Sequence, residues 1–309
     1  GSSGLLLGFN RIVKGDSKKA RVVLVKNQKV FKKNNVLDQS IVNQMLDQAI
    51  CRFTGYANSK RAWSSLFQPT EVIGLKVNGI NGKYTIYNSQ LVFGVIESLL
   101  KIGVPENNII VFDRNNQDLK KGGFTINYHQ QGVRCFSSQE GGFEELPLNL
   151  SGVKIRITKI ITQLCDAIIN LPILRAHGGA GISFAIKNFL GVVDRPAALH
   201  KKGVYRCADL YATEEIKSKV RLIIGDCLKP ICHDVKEVSL YQKPYYTIML
   251  GSDPVAMDIL GVKIISQQRN KINPPHWPLK PSVRYLKRAK ELGLGVKEEK
   301  LIEEIRILL

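Results

Sequence analysis

Residues Asn170 to Gly191 read N-L-P-I-L-R-A-H-G-G-A-G-I-S-F-A-I-K-N-F-L-G, and the fold turns on how this stretch is read. The apolar run Ala167 to Leu171 has the length and composition of a buried strand. It breaks at Pro172, passes through a loop with three glycines, and enters an amphipathic segment around Ile182, Phe184, Ile186 and Leu190. The pattern predicts strand, loop, helix. At such a junction peptide N–H groups near a helix N-terminus face the carboxyl ends of a sheet, where open α/β folds bind ligands and the dipole favours anions. His177, Ser183, Lys187 and Asn188 are grouped around it.

The flanking sequence repeats this alternation. Arg21 to Val25 is a β-branched run, and from Asp38 apolar residues at Ile41, Val42, Met45, Leu46, Ala49, Ile50 and Phe53 recur at helical spacing until Gly55. Val72 to Val77 predicts a strand that carries Lys76 and exits at Asn78-Gly79. A lysine at the end of a buried strand is unusual and serves either the structure or a ligand. A helix follows, capped by Asn88 or Ser89, then a strand Ile109 to Phe112 that ends in Asp113-Arg114. Strand, helix and strand of these lengths form a βαβ unit, so the sheet is at least partly parallel. Asp113 reads equally as a site residue and as a turn cap.

Residues 115–150 are polar and glycine-rich, the best candidate for an insertion or a lobe boundary. Ile155 and Ile157 mark a further strand. Beyond the central stretch come His200, a helix over Ala208 to Val220, and a strand Arg221 to Ile224 that ends in Gly225-Asp226. Thr247 to Leu250 is the next strand. Gly251-Ser252-Asp253-Pro254 then opens a helix, where capping is one account of Asp253 and a ligand contact the other. Pro274 to Pro281 reads as a rigid crossover, and two closing helices are expected at 282–292 and 297–308.

With 309 residues, 44% of them hydrophobic, the chain has enough apolar surface for a large core, as one domain or two lobes with a cleft. The formal charge of +19 is spread along the chain without a basic stripe or stacking aromatics, which argues against a dedicated nucleic-acid module. It leaves a basic surface for solvent, for an acidic protein partner or for an anionic membrane. The six cysteines form no C-x-x-C pair, which argues against an iron–sulfur cluster or zinc ribbon. Cys227, Cys232 and His233 are close enough in sequence to cross-link or share a metal, or to be ordinary thiols. The opening Gly-Ser-Ser-Gly-Leu-Leu-Leu-Gly-Phe reads as a tag remnant or as the end of a signal-peptide apolar core. The second reading predicts an extracytoplasmic protein, with residues 1–20 as signal remnant or tail.

Three pieces of the chain, Gly74-Leu75-Lys76-Val77-Asn78, the central N-L-P-I-L-R-A-H with A-I-K-N-F-L-G, and Gly251-Ser252-Asp253-Pro254-Val255-Ala256-Met257-Asp258, resemble domain-of-unknown-function family 362. The similarity is to its exported branch without a ferredoxin module and runs from about Arg21 to Gly295, leaving 296–309 as a C-terminal helix. That branch implies twin-arginine export, and it supplies no reaction. More remotely, His177 to Lys187 is similar to the nickel-pincer lactate racemases, where a histidine and a lysine at this separation serve the cofactor. Ile186-Lys187-Asn188-Phe189 departs from them, since they have small residues before the lysine and a proline after it.

The expectation is thus a mixed α/β protein with a mainly parallel sheet flanked by helices. Its site lies at the strand carboxyl ends, with His177 as general base and Lys187 as electrostatic clamp. Lys76, Asn78, Asn188, His200, Asp226 and Asp253 complete the ligand-binding set. The ligand is an anionic small molecule or a metal-containing cofactor that the sequence does not identify, with proton transfer on a carboxylate as the reaction. The competing expectation is a non-catalytic basic accessory subunit that docks an acidic redox protein or joins an extracytoplasmic assembly.

Overall fold

The computed structural model describes residues 19–33, 35–79, 86–129, 131–200, 206–233, 241–272 and 284–309. In chain order, β1 (Ala20–Lys26) leads to helices α1 (Gln39–Thr54) and α2 (Ser59–Ser64), β2 (Ile73–Lys76), α3 (Ile86–Lys101) and β3 (Ile109–Phe112). Then come α4 (Asn116–Lys121), β4 (Arg134–Cys135), β5 (Leu148–Leu150), β6 (Val153–Ile155), β7 (Ala167–Asn170), β8 (Ile173–His177) and β9 (Gly181–Ser183). Three short helices follow, α5 (Pro196–His200), α6 (Arg206–Tyr211) and α7 (Glu214–Lys217). The remainder is β10 (Val220–Ile231), β11 (Thr247–Gly251), α8 (Pro254–Ile272), α9 (Arg284–Glu291) and β12 (Ile302–Leu308).

Ten of these strands build one mixed sheet in the order β12-β1-β11-β10-β7-β2-β3-β4, with β8 joined to β10 and β9 to β8. Pairing is antiparallel only at β1/β11, β10/β11 and β8/β9. The other pairs are parallel, so the sheet is mostly parallel as expected. Successive strand residues point to opposite faces. Val23, Val25, Ile169 and Ile224 accordingly pack with α1, α2 and α3 through Met45, Leu46, Trp63, Phe67 and Val95. Val22, Leu24, Ile168 and Ile223 instead meet Phe184, Phe189, Met257 and Ile264 on the other face. The first helix follows its sequence signals: the Asp38 carboxylate accepts from Ser40 N at 3.0 Å, and Gly55 closes the helix at φ 84° with its N–H on Cys51 O at 2.8 Å.

Four expectations are corrected. The central stretch is not strand, loop, helix: after Pro172 the chain forms the β8/β9 hairpin, with Gly181 at φ 85°, and continues into a short 3-10 turn over Lys187–Val192. Ile182, Phe184 and Ile186 fit a two-residue period as well as a helical one. Pairing of β9 with β8 makes Gly181–Ser183 extended, and the chain then turns, with Ile186 already in the right-handed helical region at φ −69° and ψ −46° before the 3-10 turn. The helix expected over 208–220 is two short helices separated at Ala212-Thr213, and Val220 already belongs to β10. That strand runs on through Gly225 and Asp226, where a Cβ on Gly225 would overlap the Phe184 ring. The C-terminal helix is instead β12, paired in parallel with β1 along its whole length, from Ala20 against Ile302 to Lys26 against Leu308. Ile302, Ile305 and Ile307 are β-branched, and an unfilled sheet edge beside β1 outweighs local helical spacing. Lastly, α3 already begins at Ile86, so Asn88 and Ser89 lie inside it and do not cap it.

The apolar opening of the sequence, Lys201-Lys202 and the Pro274–Pro281 crossover lie outside the described residues. Among the described residues no helix is long and apolar enough to cross a membrane.

Candidate functional site

Sheet register brings the polar groups together. Lys76, the last residue of β2, lies between Phe112 of β3 and Asn170 of β7, so the residues just past these tips share one end of the sheet. Lys76 is fully buried; its Nζ lies 2.7 Å from Asp113 Oδ1 and donates to Val77 O at 2.7 Å. The second carboxylate oxygen of Asp113 accepts from Gly79 N at 2.6 Å. Burial pulls the Lys76 pKa below its ordinary value, and the adjacent Asp113 opposes that pull. Asp113 ties the two strand tips together and borders the hollow beyond them, and its carboxylate is engaged by Lys76 and Gly79 rather than by the turn that follows it.

Beside this pair runs a chain of three buried amides. Asn78 Nδ2 donates to Asn188 Oδ1 at 3.2 Å, and Asn188 Nδ2 donates to Asn170 Oδ1 at 2.8 Å and Lys76 O at 3.2 Å. Asn170 Nδ2 in turn donates to Ala185 O at 2.9 Å. Buried amides with matched partners fix one arrangement of the loops that carry them.

Above this floor lies a recess of about 150 Å³, walled by Asn78, Asp113, Arg114, Arg175, His177 and Ser183, and by Lys187, Asn188 and His200. Lys187 is only 6% exposed, so its charged side chain belongs to the wall rather than to the surface. The rings of His177 and His200 stack with centroids 6.2 Å apart and planes 28° apart. Nδ1 of His177 accepts from Gly179 N at 3.2 Å and Ala180 N at 3.1 Å, so in the neutral ring the proton sits on Nε2. His200 is the opposite tautomer. Its Nδ1 lies 2.9 Å from Pro196 O, a carbonyl that only accepts, which leaves Nε2 with a lone pair. Partial burial lowers the His200 pKa; the Pro196 carbonyl opposes this, and Lys187, Arg114 and Arg175 lower it further.

Six of the eight expected site residues therefore meet at one end of the sheet, Lys76 beneath the recess and Asn78, His177, Lys187, Asn188 and His200 on its walls. Asp226 and Asp253 do not join them. Asp226 is buried inside β10 and accepts from Leu228 N at 2.9 Å, and burial pushes its pKa up to about 6. Asp253 caps α8 through Ala256 N at 2.8 Å and takes Val296 N at 2.7 Å. The expected N–H groups after the glycine loop are also engaged. Ala185 N and Ile186 N donate to the buried carboxylate of Asp258 at 2.7 and 3.2 Å, so the protein's own anion occupies them. Burial pushes the Asp258 pKa up to about 7.

Arg114, Arg175, Asn170 and Asp258 are additions to the expected set; Asn170, Arg175 and Asp258 lie inside the quoted motifs and Arg114 follows Asp113, but their residue types alone gave them no role. None of the six cysteines forms a disulfide; Cys227 and Cys232 are buried, and the ring of His233 packs on Tyr241 at 4.8 Å. Among the described residues no group of three or more His, Cys, Asp or Glu side chains is arranged to hold a metal.

No curated protein matches this chain. Among solved structures it is distantly similar to a protein from Thermotoga maritima, with 13% identity and a TM-score of 0.40. It is also distantly similar to the lactate racemase apoprotein from Thermoanaerobacterium thermosaccharolyticum, with 14% identity and a TM-score of 0.47. Each match covers 82% of this chain and 59% of the other, so the chain spans well under two thirds of either structure's length. Residues 73–263 match the family described as Domain of unknown function (DUF362), and the chain belongs to that family.

Proposed function

We propose that the protein binds a small anion in the recess beyond the carboxyl ends of β2, β3 and β7. The charge of the walls carries this reading. Arg114, Arg175 and Lys187 bring three cationic groups to a hollow whose described lining holds one carboxylate, Asp113, itself engaged by Lys76 and Gly79 N–H. Cations around a partly enclosed hollow stabilise an anion more than the same groups in open water. The volume of about 150 Å³ falls below the roughly 300 Å³ at which drug- and cofactor-sized pockets begin. A nucleotide-sized pincer cofactor does not fit that recess.

Proton transfer on a carboxylate ligand is the reaction class that suits these groups. Lys187 acts as the electrostatic clamp that stabilises developing negative charge. The base is better supplied by His200 than by His177, because Nε2 of His200 carries a lone pair whereas Nε2 of neutral His177 carries a proton. His177 then serves as the donor. Calorimetric titration with a panel of short mono- and dicarboxylates and inorganic oxyanions tests the binding. The wild type is expected to take up at least one of them, and Lys187→Ala to weaken it about tenfold or more. Uptake of none, or uptake unchanged in Lys187→Ala, removes this reading.

A second reading, docking of an acidic redox protein, rests on the net charge of +19. On that reading Lys187→Ala leaves complex formation unchanged, because the residue is 94% buried, the complement of its 6% exposure.

A further inference from the structure

We infer that the recess selects an oxyanion carrying its own acidic proton, with hydrogen phosphate as the simplest member of the class, and that His200 makes the selection. This deepens the anion-site reading above and rests on it. Three observations lead here. First, the tautomer of His200 is fixed by a group that has no choice, since Pro196 O lies 2.9 Å from Nδ1 and a carbonyl accepts only. His200 therefore presents an acceptor, Nε2, in a recess whose other polar walls are mainly cationic and amide groups, the one carboxylate of its described lining, Asp113, being already engaged by Lys76 and Gly79 N–H. Second, stacking on His177 at 6.2 Å and the tether to its own helix hold the ring in that orientation. Third, the volume of about 150 Å³ is comparable to cavities that hold a six-carbon ring, which suits an ion of a few non-hydrogen atoms and excludes a nucleotide.

A fully deprotonated oxyanion such as sulfate would set lone pair against lone pair at this nitrogen. Hydrogen phosphate keeps a proton at neutral pH and donates it there. Sulfate could be accommodated only by protonating His200. The groups that face the ring, Lys187, Arg114 and Arg175 with the stacked His177, oppose that extra charge, while Asp113 across the recess is already held by Lys76.

The test is calorimetric titration of the wild-type protein with sodium phosphate and with sodium sulfate at pH 7.5 and equal ionic strength. Phosphate should bind at least about tenfold more tightly than sulfate, the value of one hydrogen bond to a charged group. The gap should narrow as the pH is lowered and His200 protonates, which turns Nε2 into a donor; burial and the surrounding cations place that change below the ordinary histidine range. In His200→Gln, whose amide can turn either its donor or its acceptor to the ligand, the two anions should bind within about twofold of each other. Equal binding by the wild type, or a preference for sulfate, overturns the inference and leaves the anion site standing. A gap that persists in folded His200→Gln overturns the role of His200. Binding of neither phosphate nor sulfate, with carboxylates still bound, also overturns it; binding of no anion at all removes the underlying reading.

Discussion

Two buried carboxylates flank the central stretch, and they are stabilised in different ways. Asp113 is paired with the fully buried Lys76 at 2.7 Å and takes one peptide N–H besides. Asp258, on α8, accepts two peptide N–H groups, and burial pushes its pKa up to about 7. The first is an ion pair whose partners each depend on the other. The second is a carboxyl group at which proton and charge are balanced near neutral pH. The polar end of the sheet is thus held by a charge pair, whereas the turn that follows the β8/β9 hairpin is held by a titratable cap.

Removing one partner of the pair should have the largest effect. Lys76→Met leaves Asp113 buried with an uncompensated charge and is expected to cost about 3–5 kcal/mol, read as a lower urea midpoint. Adding Asp113→Asn should recover part of that loss. A midpoint that does not move would mean the pair contributes no net stability.

Asp258 should act through pH. Its folded pKa lies above the unfolded value of 3.8, so the unfolded chain releases this proton at lower pH than the folded one. Stability from this group is fully present below about pH 4 and is lost as pH rises towards about 7. Asp226, with its pKa pushed up to about 6, adds to the same slope. Asp258→Asn removes the larger contribution, so unfolding free energy measured from pH 4 to 7 should fall less steeply than in the wild type. An unchanged slope would place the titration elsewhere.

The exposed pair Glu214–Lys217 marks the lower end of the scale, with side chains 75% and 48% exposed and 3.0 Å between them. Water screens it and ordering two long side chains offsets most of the attraction, so Glu214→Ala should change stability by less than about 0.5 kcal/mol. A larger loss would contradict the contrast between buried and exposed charge drawn here.

The sequence by itself determined the parts whose information is local or strictly periodic. The strands Ile73–Lys76, Ile109–Phe112 and Thr247–Gly251 are continuous apolar runs that only a sheet covered on both faces can bury, and the caps Asp38, Gly55 and Asp253 lie beside the helices they close. Five of the expected residues, those that line the recess, were legible for the same reason, since strand tips and the segments after them fall at one end of a parallel sheet. Tertiary structure decided what two periodicities left open. The stretch Ile182 to Ile186, and again Ile302 to Leu308, satisfies helix and strand spacing alike; pairing with β8 made Gly181–Ser183 a strand, and pairing with β1 did the same for Ile302–Leu308. It also decided that Asp258, 73 residues from Ala185, rather than a ligand would take the N–H groups after the glycine loop. Contacts across such separations depend on which surfaces pack together, and a short window of side chains does not encode that.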